Sequence, residues 1–393
     1  MPTPQVEQDL PDATRHSPTA QSATLMQSRT HAHDVIVIGG GVIGLSIAWE
    51  LAQNGVTVQV LEQGSFGQEA SWAGAGMLPP GNPREAQMTE ARLRGGSHVL
   101  WPEWTERLRS QTGLDNGFHR CGGVEVQAPG STEPLTEKLA IWRAEGVQVE
   151  SLSASQLQAR IPVLNPQIET GYFLPELGQV RNPRHLKALY QACLASGVDL
   201  RAGCPVIDFV RDGERITAAR ACDGDYAAAE FIVASGAWSG ALLARAGITI
   251  NVEPVRGQMV LLQTPVPSFR HVIEVGTRYL VPRADGRILI GSTEERVGFE
   301  KRTTAGGIAG LIEFARMLVP SLSDASFERS WAGLRPYVPG GLPVIGRVPD
   351  CSNLSVAAGH FRAGLQLSPI TAVLIRELIL GQSGNDWAAE LAP

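Results

Sequence analysis

The strongest constraint on this chain is the run Asp34-Val-Ile-Val-Ile-Gly-Gly-Gly-Val-Ile-Gly44, taken together with Leu61-Glu62. Four apolar β-formers, Val35 to Ile38, lead into Gly39-x-Gly41-x-x-Gly44. An amphipathic segment from Val42 to Gln53 follows, then the turn Asn54-Gly55 and a second apolar strand, Val56 to Leu61. This is a complete strand, glycine turn, helix and strand unit, the pattern that binds a dinucleotide. Gly39 permits the tight turn, Gly41 lets a pyrophosphate approach the backbone, and Gly44 lets the helix pack closely on the sheet. The helix start offers unpaired N–H groups and partial positive charge to phosphates. Glu62 stands where a carboxylate can accept hydrogen bonds from a ribose diol. No arginine follows closely to hold a 2′-phosphate, which argues against NADP.

At 393 residues the chain is too long for one ordinary core, so two domains are expected. The net charge of −6 gives no electrostatic reason to expect nucleic acid or an anionic membrane as partner. Cys121, Cys193, Cys204, Cys222 and Cys351 are dispersed with no CxxC spacing, which reads as reduced thiols of a cytoplasmic protein and not as a metal site. Residues 1–33 are rich in Pro, Gln, Ser, Thr, Ala and His and read as a disordered N-terminal extension, with Met26 as an alternative start. This stretch lacks the apolar core of a secretory signal, and Arg15 and Arg29 make a poor transit peptide. The best apolar run, Ile370 to Leu380, is interrupted by Arg376 and Glu377 and falls short of the roughly 20 residues a membrane span needs.

Downstream of Glu62 the loop Gln63 to Pro83 is dense in small residues, and Glu85 to about Ala144 has a largely helical pattern with Trp101 and Trp104 on one face. Gly122 to Gln127 and Glu169 to Phe173 read as a strand pair, and Asn182-Pro183 opens a helix that ends at Ser196. A meander is expected over Pro205 to Arg211, Arg215 to Ala221 and Glu230 to Ala234. From Val255 the period is mostly two, with strands at Arg256 to Gln263, Val272 to Val275, Arg278 to Pro282 and Arg287 to Gly291. After a helix over Gly306 to Leu318, the strand Asn353 to Ala358, the turn Gly359 to Gly364 and the helix Leu365 to Leu380 restore an α/β pattern. The expected architecture is therefore α/β: a Rossmann-type domain from residues 34–83, 181–240 and 342–386, with an antiparallel-sheet domain from 84–180 and 241–341 inserted.

Seven further motifs follow the glycine fingerprint in order. They are Ala70-Ser-Trp-Ala-Gly-Ala-Gly-Met-Leu78, Ile232-Val-Ala-Ser-Gly-Ala-Trp-Ser239, Pro254-Val-Arg-Gly-Gln258, Tyr279-Leu-Val-Pro-Arg283, Ala332-Gly-Leu-Arg-Pro336, Gly341-Leu-Pro-Val-Ile-Gly346 and Ala358-Gly-His-Phe-Arg-Ala-Gly364. Over residues 34 to 385 the chain resembles the D-amino acid oxidase family of FAD enzymes, and within it the glycine oxidase branch linked to thiamine synthesis. The resemblance implies non-covalently bound FAD. Gly39, Gly41, Val42, Ile43 and Gly44 would lie at the pyrophosphate, and Glu62 and Gln63 at the adenosine ribose. Ala70, Ser71, Ala75, Gly76 and Met77 would run along the diphosphate and isoalloxazine, and Val206 would hold the adenine. His360, Phe361, Arg362, Ala363, Gly364, Leu365 and Gln366 would approach the flavin ahead of the last helix, with His360 as a contact and not a base.

On the substrate side the resemblance implies that Arg335 clamps a carboxylate, that the Tyr279 hydroxyl supports it, and that Arg362 adds a second positive group. Arginine suits this role because its planar fork meets a carboxylate bidentately. The implied reaction is oxidative deamination of glycine and other small amino acids, with hydride moving to the flavin, no side-chain base, and dioxygen reduced to hydrogen peroxide. A homo-oligomer, and thiazole synthase as partner, are expected on the same ground. Sarcosine or D-amino acid oxidase or dehydrogenase activity, and an inactive flavin-binding module, are the competing readings. Glu294 departs from the family pattern, standing near where some members carry an apolar pocket residue.

Overall fold

The computed structural model describes residues 33–130, 135–382 and 386–393. The extension expected over residues 1–33 thus lies outside the described residues except for His33, which is already paired with Ala228 in the first strand.

The fingerprint folds as its residues dictate. The strand His33–Ile38 runs into the helix Val42–Gln53 and returns through the strand Val58–Leu61. Gly39 adopts φ 113°, a conformation that favours glycine, and a Cβ there would stand 2.4 Å from the Ala234 carbonyl oxygen. A Cβ at Gly44 would stand 1.9 Å from the Gly39 carbonyl oxygen, so the helix can sit this close to the turn only without a side chain.

These two strands are central in a six-stranded sheet ordered Val344–Arg347, Leu354–Ala358, Ala228–Val233, His33–Ile38, Val58–Leu61 and Asp199–Arg201. All neighbours are parallel except the first pair. The helices Val42–Gln53, Asn182–Ala195 and Gly364–Ile379 share one apolar core with Val35, Val37, Val58 and Val60. The long helix Thr89–Thr112 joins them through Trp104, whose ring meets Trp49 edge-on at 4.8 Å between centroids. Deleting an aromatic side chain buried like this costs about 3–5 kcal/mol. Ile36, Ile38 and Leu61 point the other way, toward Phe209, Ile216 and Phe231.

One sequence expectation is corrected. The strand Ala228–Val233 pairs in parallel with His33–Ile38 and does not belong to the meander, whose third strand is Gly224–Tyr226. The largely helical stretch from Glu85 to Ala144 resolves into helices Thr89–Thr112 and Thr136–Ala144, and between them the expected strand forms as Gly123–Val126, antiparallel to Thr170–Leu174, with a short further strand at His119–Arg120.

The second large sheet has eight strands, in the order Ser326–Tyr337, Glu253–Gln263, Arg287–Gly291, Arg278–Pro282, Val272–Val275, Gly123–Val126, Thr170–Leu174 and Glu150–Ser153. Strand side chains alternate between faces. Val260, Leu262, Leu280, Ile288 and Ile290 pack beneath the helix Ala305–Leu318, against its Leu311, Phe314 and Leu318. The opposite face carries Met259, Tyr279 and Trp331, and it is the face on which the candidate site is built.

Candidate active site

One cavity of about 640 Å³ runs from the glycine turn of the parallel sheet to the open face of the eight-stranded sheet. Glu62, Gln63 and Val206 line one end; Tyr279, Arg335 and Arg362 line the other. Every residue expected at the cofactor or substrate lines this cavity except Gly44, whose part is to bring the helix onto the turn.

The first end has the chemistry of a dinucleotide cradle. The opening amides of the helix Val42–Gln53 have no acceptor within the helix, and no acidic side chain occupies its first turn. The Val42 N–H donates to Ser71 Oγ at 2.9 Å, tying this end to the small-residue loop beyond Glu62. The Glu62 carboxylate is buried and fixed by two backbone donors, Gly40 N–H at 2.7 Å and Gly64 N–H at 2.8 Å. Each oxygen keeps lone-pair capacity for a ribose hydroxyl. Glycines at 39, 41, 74, 76, 236, 333 and 364 leave much of the wall as bare backbone. These residues fit a dinucleotide along their whole length.

Three side chains that sequence reading did not single out hold the loop Ala70–Met77 in place. Asn182 Nδ2 donates to the Ser71 carbonyl at 2.7 Å, and Trp331 Nε1 to the Ala73 carbonyl at 3.0 Å. Arg283 Nη2 donates to the Ala75 carbonyl at 2.7 Å, while Nη1 reaches Val180 O and Gln179 Oε1. Burial pulls the Arg283 guanidinium down to about 10, which leaves it charged at neutral pH. The Gln366 carbonyl, at the start of the last helix, accepts from Trp101 Nε1 at 2.9 Å.

At the other end, Arg335 sits on the strand Ser326–Tyr337 with Nη1 donating to Thr293 O at 3.1 Å and Nη2 to Ser292 Oγ at 2.5 Å. Burial lowers its pKa from the usual arginine value; the Tyr279 phenol works against that and the charge of Arg362 works with it. Neither bond of Arg335 is to a carboxylate, so its positive charge remains available to an anion. Tyr279 stands across the sheet from Gly291, and Gly291 from Met259, whose sulfur accepts from the Tyr279 hydroxyl at 3.6 Å. Arg362 is differently placed than expected of a second free cation: Nη2 pairs with the Glu294 carboxylate and Nη1 donates to Thr277 O at 3.2 Å. The His360 imidazole is buried at the cavity wall, its Nε2 3.0 Å from Thr371 Oγ1, and burial drives it down to about 3. It stays neutral and is no reservoir for a proton.

A family model described as FAD dependent oxidoreductase matches residues 34–378. The chain belongs to this family. FAD is accordingly its cofactor, and the fold is that of the family. A glycine oxidase of Pseudomonas putida is 38% identical over 363 residues, covering 91% of this chain and 98% of the relative. The crystal structure of glycine oxidase from Geobacillus kaustophilus matches with a TM-score of 0.87 at 34% identity, covering 92% of this chain and 98% of that one. The bifunctional protein ThiO/ThiG of Trichormus variabilis is 35% identical over 363 residues, which are 90% of this chain and 53% of that longer protein. Among the described residues no helix is long and apolar enough to cross a membrane.

Proposed function

We propose that this FAD-dependent amino acid oxidase acts on glycine and comparably small amino acids, with dioxygen as the final electron acceptor. Balanced, glycine, dioxygen and water give glyoxylate, ammonia and hydrogen peroxide. The observation that carries this reading is Arg335: a half-buried guanidinium with no carboxylate partner, beside Tyr279, in the same cavity as the dinucleotide cradle.

When bound, FAD supplies a two-electron acceptor for the hydride of the substrate Cα–H. The rest belongs to the chain's own side chains. Arg335 meets the substrate carboxylate with its planar fork, and the Tyr279 hydroxyl adds a donor beside it. Met259 and the Tyr279 ring crowd the space next to the clamp, which favours a small side chain. Glu294 neutralises Arg362, which leaves Arg335 as the cation that faces a substrate carboxylate beside Tyr279. No cysteine lines the cavity among the described residues, which supports non-covalent FAD; Cys351 is buried among Leu354 and Val356 instead. On this reading the six-stranded sheet carries the cofactor and the eight-stranded sheet the substrate, and the imine product feeds thiazole formation for thiamine. The bifunctional organisation of the ThiO/ThiG relative supports thiazole synthase as a partner.

Purified protein should be yellow, release FAD on denaturation, and form peroxide and ammonia in equal amounts with glycine. Sarcosine, D-alanine and D-proline tested in parallel rank the side-chain tolerance. A yellow protein that turns over none of the four contradicts the proposal.

A further inference from the structure

One polar side chain in the inner part of the cavity lacks a protein partner. Glu274, on the strand Val272–Val275, lines the cavity yet receives no hydrogen bond and forms no ion pair with any described residue. The register explains where it stands. Glu274 is directly opposite Tyr279 in one direction and Glu125 in the other, so the three side chains form a row on the cavity face of the sheet.

The groups around it are specific. Glu125, on Gly123–Val126, already accepts from the Tyr172 hydroxyl and the Lys138 ammonium, and Trp142 Nε1 donates to that hydroxyl at 3.1 Å. Lys138, on the helix Thr136–Ala144, therefore balances only one of two adjacent carboxylates. Tyr279 presents its ring on the other side. Burial, then the charge of Glu125, raises the Glu274 carboxyl to about 8, with Lys138 pulling the opposite way. Glu274 is half-buried, and a carboxylate partly withdrawn from water gains from a donor or a cation. No described side chain supplies one, which leaves that place to a donor on whatever occupies the cavity.

An α-amino acid brings that partner with it. This inference rests on the amino acid reading above: with the carboxylate on Arg335 beside Tyr279, the amino group is the only cation the substrate offers to this row. We propose that Glu274 holds the substrate's ammonium group and removes one of its protons before oxidation. The step is a proton transfer alone. One N–H bond breaks, one O–H bond forms on a Glu274 oxygen, and the electron pair stays on nitrogen, where it later forms the imine bond. No oxidant takes part, and the proton passes to water as product leaves. A group that titrates close to the working pH suits such a transfer.

The test is anaerobic flavin reduction by glycine, followed from about pH 6.5 to 10, in the holoenzyme and its Glu274→Gln and Lys138→Met variants. Reduction of the wild type, by glycine or by another small amino acid then used throughout, establishes the underlying reading separately. Glu274→Gln should slow reduction about 100-fold near pH 7.5, with the gap closing toward pH 10 as the free amine arrives neutral. Acetate, a carboxylate without an amine, should perturb the flavin spectrum with the same affinity in both proteins. Lys138→Met should move the wild-type rise in rate to higher pH, since it removes the cation that favours ionised Glu274. Wild-type rates in Glu274→Gln at every pH overturn the proposal. So does a loss that is equal at all pH values and accompanied by weaker acetate binding, which marks a structural role. If Glu274→Gln does not retain FAD, an unshifted profile in Lys138→Met overturns it.

Discussion

The Arg335 guanidinium lies over the backbone of Gly257, in space that any side chain at that position would fill. A Cβ built at Gly257 would meet Nη2 at 2.2 Å and Cζ at 2.4 Å. Tyr279 stands in the same relation to Gly291, where a Cβ would come within 2.4 Å of the ring. The two expected carboxylate-binding side chains are thus seated on two glycines of neighbouring strands.

Gly257→Ala should displace Arg335 without touching the cofactor cradle. Misplacement of a positioning group by about 1 Å can cost on the order of 100-fold. We expect the Michaelis constant for glycine to rise at least about 10-fold, with FAD content unchanged. Steady-state kinetics alongside flavin-to-protein absorbance ratios check this. Unchanged kinetics would mean that the guanidinium position does not matter.

Glu62 should act on cofactor affinity alone. Hydrogen bonds to a charged group contribute about 1.5–3 kcal/mol, so Glu62→Ala should weaken FAD binding by roughly 10- to 150-fold. Fluorescence titration of apoprotein with FAD reads the effect directly. Glu62→Gln should fall between, because its single oxygen can still accept from one of the two amides now bound to Glu62.

Arg283→Met should loosen the loop beside the cofactor. Its guanidinium donates to the buried carbonyls of Ala75 and Val180, and each unpaired buried acceptor costs about 1–3 kcal/mol. A lower melting temperature and faster FAD release on dilution are expected. Full retention of both would show that the loop is held by Asn182 and Trp331 alone.

The raised pKa of Glu274 has a sign in stability as well as in catalysis. The folded apoprotein binds this proton up to about pH 8, while an unfolded glutamate releases it near 4.5. The stabilisation is therefore complete below about pH 4.5 and is lost as pH rises through 8. Glu274→Gln removes that dependence, so its apoprotein should gain melting temperature over wild type progressively from pH 5 to 8. A difference that stays constant with pH would place the Glu274 pKa in the ordinary range.

The glycine fingerprint and the acid after the second strand were legible because each step is local: turn, helix start and strand end lie within 30 residues. The strand Ser326–Tyr337 carries Arg335, yet it escapes the alternation rule, since Glu328, Arg329, Gly333 and Pro336 break its apolar pattern. Its partner Glu253–Gln263 supplies the order, through a long antiparallel ladder. The strand Ala228–Val233 reads correctly as a strand, but period alone does not say which sheet it joins. Glu274 and Arg283 look in sequence like ordinary polar residues of an antiparallel strand and its end. Only cross-strand register puts one beside Tyr279 and the other under Ala75. The pairing of Arg362 with Glu294 spans two distant turns and has no local signature.

The most direct test of the account is rapid mixing of anaerobic holoenzyme with glycine, wild type against Arg335→Ala, following flavin absorbance. Removing a bidentate, charge-assisted contact shielded from water should cost several kcal/mol, at about 1.5–3 kcal/mol per hydrogen bond. We expect saturable bleaching in the wild type, and in Arg335→Ala a strongly raised half-saturation with slower reduction at equal FAD content. Arg335→Lys should lie between, since an ammonium restores charge without the fork. Wild-type reduction kinetics in Arg335→Ala would contradict the account and place the substrate carboxylate elsewhere.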